Sequence, residues 1–111
     1  LGYPNRIKNS FKRFSFFEYS NLSFERPDTD TFKNLSLAYK AMSLGGNAAC
    51  VLNAANEVAV EGFLNDKIGF LNMSDLIDNC LEKINFVNNP SLEDLIESDK
   101  ETRILAKKLL K

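Results

Sequence analysis

The ten residues VLNAANEVAV, numbered 51–60, decide which fold this chain can adopt. Small apolar side chains surround Asn53, Asn56 and Glu57, which lie at i, i+3 and i+4 and therefore share one face of a helix. An amide or carboxylate buried in such a helix without a partner costs about 1–3 kcal/mol. These three groups therefore either take part in chemistry or bond to another part of the protein.

The polar face of this helix has two main interpretations, besides simple exposure to solvent. Glu57 could act as a general base or a metal ligand, but acid–base catalysis needs a second titratable group or a metal, and no neighbour in sequence supplies one. The interpretation we favour is a structural polar bracket of Asn53, Asn56 and Glu57, which satisfies the backbone of an adjoining irregular segment. We predict no catalytic, cofactor-binding or metal-binding residue in the chain.

The composition restricts the classes of function. The chain has 111 residues, 44% of them hydrophobic and 26% charged, with a net charge of -1, which indicates one folded domain and disfavours a dedicated nucleic-acid binder. Its lack of histidine excludes a Ser-His-Asp hydrolase. Cys50 and Cys80 are too far apart for a zinc motif, so we interpret both as small buried apolar residues.

Two regions differ in character. Residues 1–31 are rich in aromatic side chains and poor in helix formers, and we predict a linker there with one short strand at residues 21–24. Pro27 ends the strand, because proline cannot donate a hydrogen bond to a neighbouring strand. Residues 32–111 show helical spacing and form a second, helical domain. The fold class is mainly α, a small bundle of about four helices preceded by an extended linker.

The helix boundaries follow from capping and turn residues. The first helix starts at Phe32 and stops at the two glycines 45–46, and the second begins at Asn47 and runs to about Asn65. Ser74 is the predicted N-cap of the third helix. That helix should bury Ile77, Cys80, Leu81 and Ile84.

The C-terminal part reads as two further helical stretches. Ser91 and Asp94 approximate a capping box, which predicts a short helix from Ser91. A last helix is predicted from Ser98 to Leu110. It should bury Ile104, Leu105 and Leu109.

Two charged segments could suggest ligands. Residues 6–17 interleave basic and aromatic side chains, as in an arm that binds single-stranded nucleic acid, but the same composition suits a connector whose rings pack into a neighbouring core. The acidic residues of the C-terminal part lack the spacing of a calcium loop and read as helix surface charge. These segments contain Arg6, Lys8, Phe11, Lys12, Arg13, Phe14, Phe16 and Phe17, and Glu93, Asp94, Glu97, Asp99 and Glu101.

Five segments, in order, resemble a known enzyme family. They are GYPNRI at 2–7, LSFERPD at 22–28, LSLAYKAMSLGG at 35–46, VLNAANEVAVEGFLNDKIGFL at 51–71 and PSLEDLIESD at 90–99. Together they are similar to the C-terminal portion of 1-deoxy-D-xylulose 5-phosphate reductoisomerases. The resemblance covers essentially the whole chain.

The resemblance implies a parent enzyme that converts 1-deoxy-D-xylulose 5-phosphate to 2-C-methyl-D-erythritol 4-phosphate in non-mevalonate isoprenoid biosynthesis. It implies NADPH and Mg²⁺ or Mn²⁺ as cofactors, a cytoplasmic homodimer, and no nucleic-acid or membrane partner. The family's nucleotide loop, metal ligands and phosphate site have no counterpart in this sequence. We therefore expect an inactive segment that buttresses the catalytic and nucleotide-binding domains. The alternative is a free-standing helical interaction domain whose basic aromatic arm binds RNA or a protein.

Overall fold

Four α-helices follow an irregular segment in the computed structural model, which describes residues 2–110. The helices are α1 (Lys33–Leu44), α2 (Ala48–Leu64), α3 (Phe70–Lys83) and α4 (Leu92–Leu109). The prediction of a mainly helical fold with about four helices is confirmed. The division into a linker of residues 1–31 and a domain of residues 32–111 stays a prediction, and residues 1 and 111 lie outside the described part.

Helix α2 forms the centre of the bundle and packs against each of the other three helices. Its buried side chains are small, so the neighbouring helices can come close to its axis. Ile77 and Cys80 of α3 pack into the core as predicted, and they are 2% and 0% exposed. The buried residues of α2 are Ala48, Val51, Ala54, Ala55, Val58, Ala59 and Gly62.

The side chain of Asn47 joins three parts of the chain. Its Nδ2 donates to the carbonyl oxygen of Asn85 and to the hydroxyl of Ser98, both at 2.9 Å. Its Oδ1 accepts from the backbone N–H of Val87 at 3.0 Å, and its own backbone N–H donates to the Val87 carbonyl at 3.1 Å. Asn47 is 1% exposed, so every polar atom of its side chain is satisfied inside the protein.

The turn between α1 and α2 needs glycine for two different reasons. Gly45 and Gly46 both have positive φ, +69° and +54°, a conformation that side chains with a Cβ disfavour. A Cβ on Gly45 would point into open space, whereas one on Gly46 would clash with the Val87 carbonyl and the Phe86 ring. Gly46 therefore lets the α3–α4 loop approach closely enough to reach Asn47.

The predicted start of α3 is wrong. The helix begins at Phe70, and its N-cap residue is Gly69, five positions before the predicted cap Ser74. Ser74 lies inside the helix, where its hydroxyl donates to the carbonyl oxygen of Leu71 at 2.8 Å. A serine can make this bond back to the preceding turn without ending a helix, so its presence alone does not locate a helix start.

The prediction of two C-terminal helices is also wrong, because α4 runs unbroken through Ser98. The capping box at Ser91 and Asp94 is confirmed, with both reciprocal bonds present. Ser98 instead accepts the bond from Asn47, and its carbonyl accepts from the Thr102 hydroxyl at 2.6 Å.

The predicted buried face of α4 must be corrected as well. Ile104 and Leu109 are 48% and 38% exposed, while Ser98, Thr102 and Ala106 are buried. Helix α4 lies close to the small residues of α2, so only small side chains fit at this contact. The hydroxyl groups among them are tolerated because they have hydrogen-bond partners.

The predicted strand does not form, since residues 21–24 are irregular and the described residues contain no strand that could pair with them. An isolated strand leaves its backbone groups without hydrogen-bond partners. The segment before α1 lies apart from the bundle: the radius of gyration is 18.6 Å, against about 13 Å for a compact chain of this length.

We predict that Asn47→Ala lowers the free energy of unfolding by about 3 kcal/mol, because it leaves buried groups of the α3–α4 loop and Ser98 without partners. Asn89→Ala changes an exposed asparagine of the same loop and should alter the free energy of unfolding by less than about 0.5 kcal/mol. Urea unfolding followed by circular dichroism measures both. Equal losses would contradict the role of Asn47.

The two glycines provide a second matched pair. Gly45→Ala should cost about 1–2 kcal/mol from positive φ alone, and Gly46→Ala should cost clearly more, because the added Cβ also displaces the α3–α4 loop. The same unfolding measurement compares them. A smaller loss for Gly46→Ala would show that the loop yields freely.

Candidate functional site

A strip of polar side chains crosses α2 and α4. The structure places Asn53, Asn56 and Glu57 on one face of α2, as their spacing predicts; Asn53 and Glu57 are exposed and Asn56 is half-buried. Asp99 and Arg103 of α4 complete the strip. We call these five residues the polar strip.

Arg103 links the two helices of the polar strip. Its Nη2 donates to Glu57 Oε2 at 2.7 Å, while its Nε and Nη2 donate to the two carboxylate oxygens of Asp99 at 2.8 and 3.0 Å. The Asn53 amide donates to Glu57 Oε1 at 3.2 Å. Among residues 2–110, no hydrogen bond involves the side chain of Asn56.

The electrostatics of the strip hold Glu57 in its ionised form. The hydrogen bond from Arg103 lowers the pKa of Glu57 most, and the charge of Arg103 and the Asn53 amide add to the effect. The two carboxylates raise the pKa of Arg103, and the hydrogen bonds that Arg103 donates to Asp99 contribute most. A carboxylate with a lowered pKa that already accepts two hydrogen bonds is a poor general base at neutral pH.

The predicted bracket role of Asn53, Asn56 and Glu57 stays a prediction. The hydrogen bonds made by residues 2–31 all lie within residues 2–32, so none of them reaches the polar strip. The strip therefore faces outward on the part of the chain that the structure describes.

Sequence reasoning missed Arg103 and gave Asp99 only the role of surface charge. Their i, i+4 spacing was visible in the sequence and predicts a pair on one helix. The bond from Arg103 to Glu57 was not visible, because it depends on how α4 lies against α2. Elsewhere on α4, Asp94 belongs to the capping box, and Glu97 pairs with Lys100 at 3.9 Å, so the acidic residues act locally.

The basic aromatic arm is exposed. Lys12 pairs with Glu18 at 2.8 Å, and Phe14 packs against Phe16 and Tyr19 with ring centroids 5.0 and 5.4 Å apart. Phe17 is 99% exposed. These contacts order the arm locally, and Arg6, Lys8, Lys12 and Arg13 line one pocket of about 650 Å³ within it.

Both cysteines are free thiols. Cys80 is fully buried, and burial raises its pKa to about 11, while the half-buried Cys50 also has a raised pKa through burial. Neither thiol is activated at neutral pH. Cys80 packs in the core as predicted, whereas Cys50 is not fully buried and its Sγ donates to the Leu95 carbonyl at 3.4 Å.

The described residues contain no group of three or more His, Cys, Asp or Glu side chains arranged to hold a metal ion. Within residues 2–110, no helix combines the length and the apolar character that crossing a membrane requires.

Comparison with known proteins gives consistent relatives. The family described as DXP reductoisomerase C-terminal domain matches residues 1–105. The chain is 48% identical over 110 residues to the 1-deoxy-D-xylulose 5-phosphate reductoisomerase of Bacteroides fragilis, covering 99% of the chain and 28% of that protein. The corresponding protein of Bacteroides thetaiotaomicron is 50% identical, with the same coverage.

Solved structures agree with these relatives. The reductoisomerase of Zymomonas mobilis in complex with NADPH gives a TM-score of 0.81 at 36% identity, covering 98% of this chain and 29% of that one. A DOX-P reductoisomerase in complex with NADPH, fosmidomycin and magnesium also gives 0.81, at 31% identity, with the same coverage. The chain thus spans less than a third of the length of these relatives.

The ion pair in the polar strip predicts a pH effect. Folding lowers the pKa of Glu57 below 4.5. The stability that ionised Glu57 contributes is therefore present above pH 4.5 and is lost as the pH falls through the lower pKa of the folded state. Glu57→Gln should therefore flatten the decrease in the free energy of unfolding below about pH 4.5.

Glu61→Gln is the matched control, because Glu61 is an exposed residue of the same helix with no ion pair among the described residues. Urea unfolding at a series of pH values measures both variants. Identical pH profiles would contradict the pairing of Glu57 with Arg103.

Proposed function

Because the chain belongs to the DXP reductoisomerase C-terminal domain family, we propose that it is the C-terminal structural part of a 1-deoxy-D-xylulose 5-phosphate reductoisomerase. The observation that carries this proposal is the family match over residues 1–105, together with 48% identity to the Bacteroides fragilis enzyme across nearly the whole chain. The complete enzyme would convert its substrate to 2-C-methyl-D-erythritol 4-phosphate in isoprenoid biosynthesis.

The cofactors of the complete enzyme are NADPH and a divalent metal, Mg²⁺ or Mn²⁺, in this proposal. Solved relatives are described as complexes with NADPH and with magnesium. The described residues do not fit either group, since they offer no cluster of metal ligands, and the sequence has no glycine-rich phosphate loop after a strand. We therefore assign both cofactors to the other domains and no catalytic step to this segment.

The role of the segment is to support the catalytic domain. Its accessible surface is 9138 Å², whereas a compact monomer of 12.5 kDa exposes about 6,200 Å². The excess comes from the extended linker and from apolar side chains that face outward. In the complete enzyme, a neighbouring domain would cover part of this surface, and the polar strip would bond to the backbone of that domain.

We also propose that the complete enzyme is a cytoplasmic homodimer that binds neither nucleic acid nor a membrane. The resemblance to the family supports this part. The alternative, a free-standing helical interaction domain that binds RNA or a protein through its basic aromatic arm, gains no support from the relatives described above.

A chimera tests the function. The chain replaces the corresponding C-terminal part of the Bacteroides fragilis reductoisomerase, and NADPH consumption with 1-deoxy-D-xylulose 5-phosphate and Mg²⁺ is measured. We expect activity from the chimera and none from the 111-residue chain alone. A folded but inactive chimera would contradict the proposal, as would turnover by the chain alone.

The bracket role gives a further prediction. In the chimera, Asn53→Ala or Asn56→Ala should destabilise the domain by about 1–3 kcal/mol, because each removes a buried hydrogen bond to the neighbouring domain. In the 111-residue chain, the exposed Asn53→Ala should cost less than about 0.5 kcal/mol. Thermal denaturation measures both.

Metal affinity of the chimera is the control for the bracket, and it should stay unchanged in both variants. A large loss of Mg²⁺ affinity at unchanged stability would assign this face to the metal site instead.

A further inference from the structure

Four large apolar side chains form an exposed patch where the linker enters the bundle. Phe32 precedes α1, Phe63 lies near the end of α2, and Phe70 and Leu71 open α3. They are 59%, 39%, 61% and 73% exposed, respectively. We call this group the aromatic patch.

The aromatic patch is continuous. The rings of Phe63 and Phe70 meet edge to face with centroids 5.9 Å apart. Phe32, Phe70 and Leu71 also line one shallow pocket of about 70 Å³. Phe70 thus belongs to both contacts and connects the rings of the patch into one surface.

Polar residues also line this pocket, and the charge among them is compensated. They include Asn34 and Ser74, and the ammonium group of Lys33 pairs with Asp75 and Asp78, both at 3.0 Å. Large apolar side chains accompanied by polar groups are typical of a protein–protein contact. Because the cation is already paired, the surface fits an apolar partner and not an anion.

We propose that the aromatic patch is the surface on which the catalytic part of the same reductoisomerase chain docks, an inference that rests on the proposed function. The linker joins the bundle at Phe32, inside the patch, so whatever the linker carries is held at high effective concentration beside it. In this family the segment is C-terminal, and the Bacteroides fragilis relative has more than two-thirds of its length outside the matched 28%. The domains preceding the linker are therefore the occupant.

The test uses the chimera with the Bacteroides fragilis enzyme. Docking should protect the linker, so proteolytic cleavage within residues 8–31 reports whether the domain is in place. We expect Leu71→Ser to increase the cleavage rate at least five-fold in the chimera and to leave it unchanged in the 111-residue chain. Met42→Ser is the matched control, because Met42 is equally exposed, at 73%, but lies near the other end of α1.

The outcomes separate the two proposals. An active chimera whose linker is cleaved at the same rate with Leu71→Ser and with Met42→Ser overturns the docking surface and leaves the function intact. An inactive, folded chimera overturns the function.

Other occupants of the patch give their own results. If Leu71→Ser increased the rate of linker cleavage equally in the isolated chain, the linker itself would be the segment that covers the patch. If the linker of the isolated chain became better protected from cleavage as the protein concentration rose, the patch would be the contact surface for a second copy of the chain. Either result contradicts the proposal.

A second variant guards against a folding defect. Phe32→Ser changes a residue outside the helices, so it should repeat the effect of Leu71→Ser on linker cleavage without disturbing α3. Unfolding of the 111-residue variants checks that both fold. A normal cleavage rate in Phe32→Ser would contradict the patch even if Leu71→Ser failed to fold.

Discussion

The rest of the bundle depends on the buried side chain of Asn47. An asparagine at 1% exposure is stable only where its donors and its acceptor all find partners, and here these come from the α3–α4 loop and from Ser98 on α4. Hydrophobic packing is non-directional and tolerates shifts, whereas these bonds require fixed atomic positions. The amide therefore sets the path of the loop and, with it, the position of α4 against α2.

This constraint also determines where the polar strip lies. Once α4 is held close to the small side chains of α2, the next residues out along the contact are Glu57 and Arg103, and they pair at 2.7 Å. The pair is exposed, so it adds little to stability by itself. Its effect is to orient Glu57, and with it the amide of Asn53, in a fixed outward geometry. A preoriented polar face loses less entropy when another backbone binds to it.

The sequence was sufficient for features that depend on neighbours along the chain. The paired glycines end α1 and the capping box starts α4, because each signal acts within one turn. Asn47 precedes α2 as predicted, but its side chain makes no capping bond there and bonds to the α3–α4 loop and Ser98. Features set by contacts between helices were out of reach. The neighbouring sequence does not show that Ser98 lies buried in the middle of α4 and does not start a helix. It also does not show that Ile104 faces outward. Both features depend on how α4 approaches α2. Arg103 was missed for the same reason.

The outward-facing apolar residues explain why periodicity assigned some buried faces wrongly. A helical stripe predicts that a face is covered, but it does not say whether the same bundle or another domain covers it. The small side chains of α2 leave a compact core, and several large side chains, such as Phe70 and Leu71 at the start of α3, remain outside it. Within the bundle, the packed core and the bonds of Asn47 hold the four helices together. Under the proposed function, these large side chains are available for contact with the rest of the enzyme.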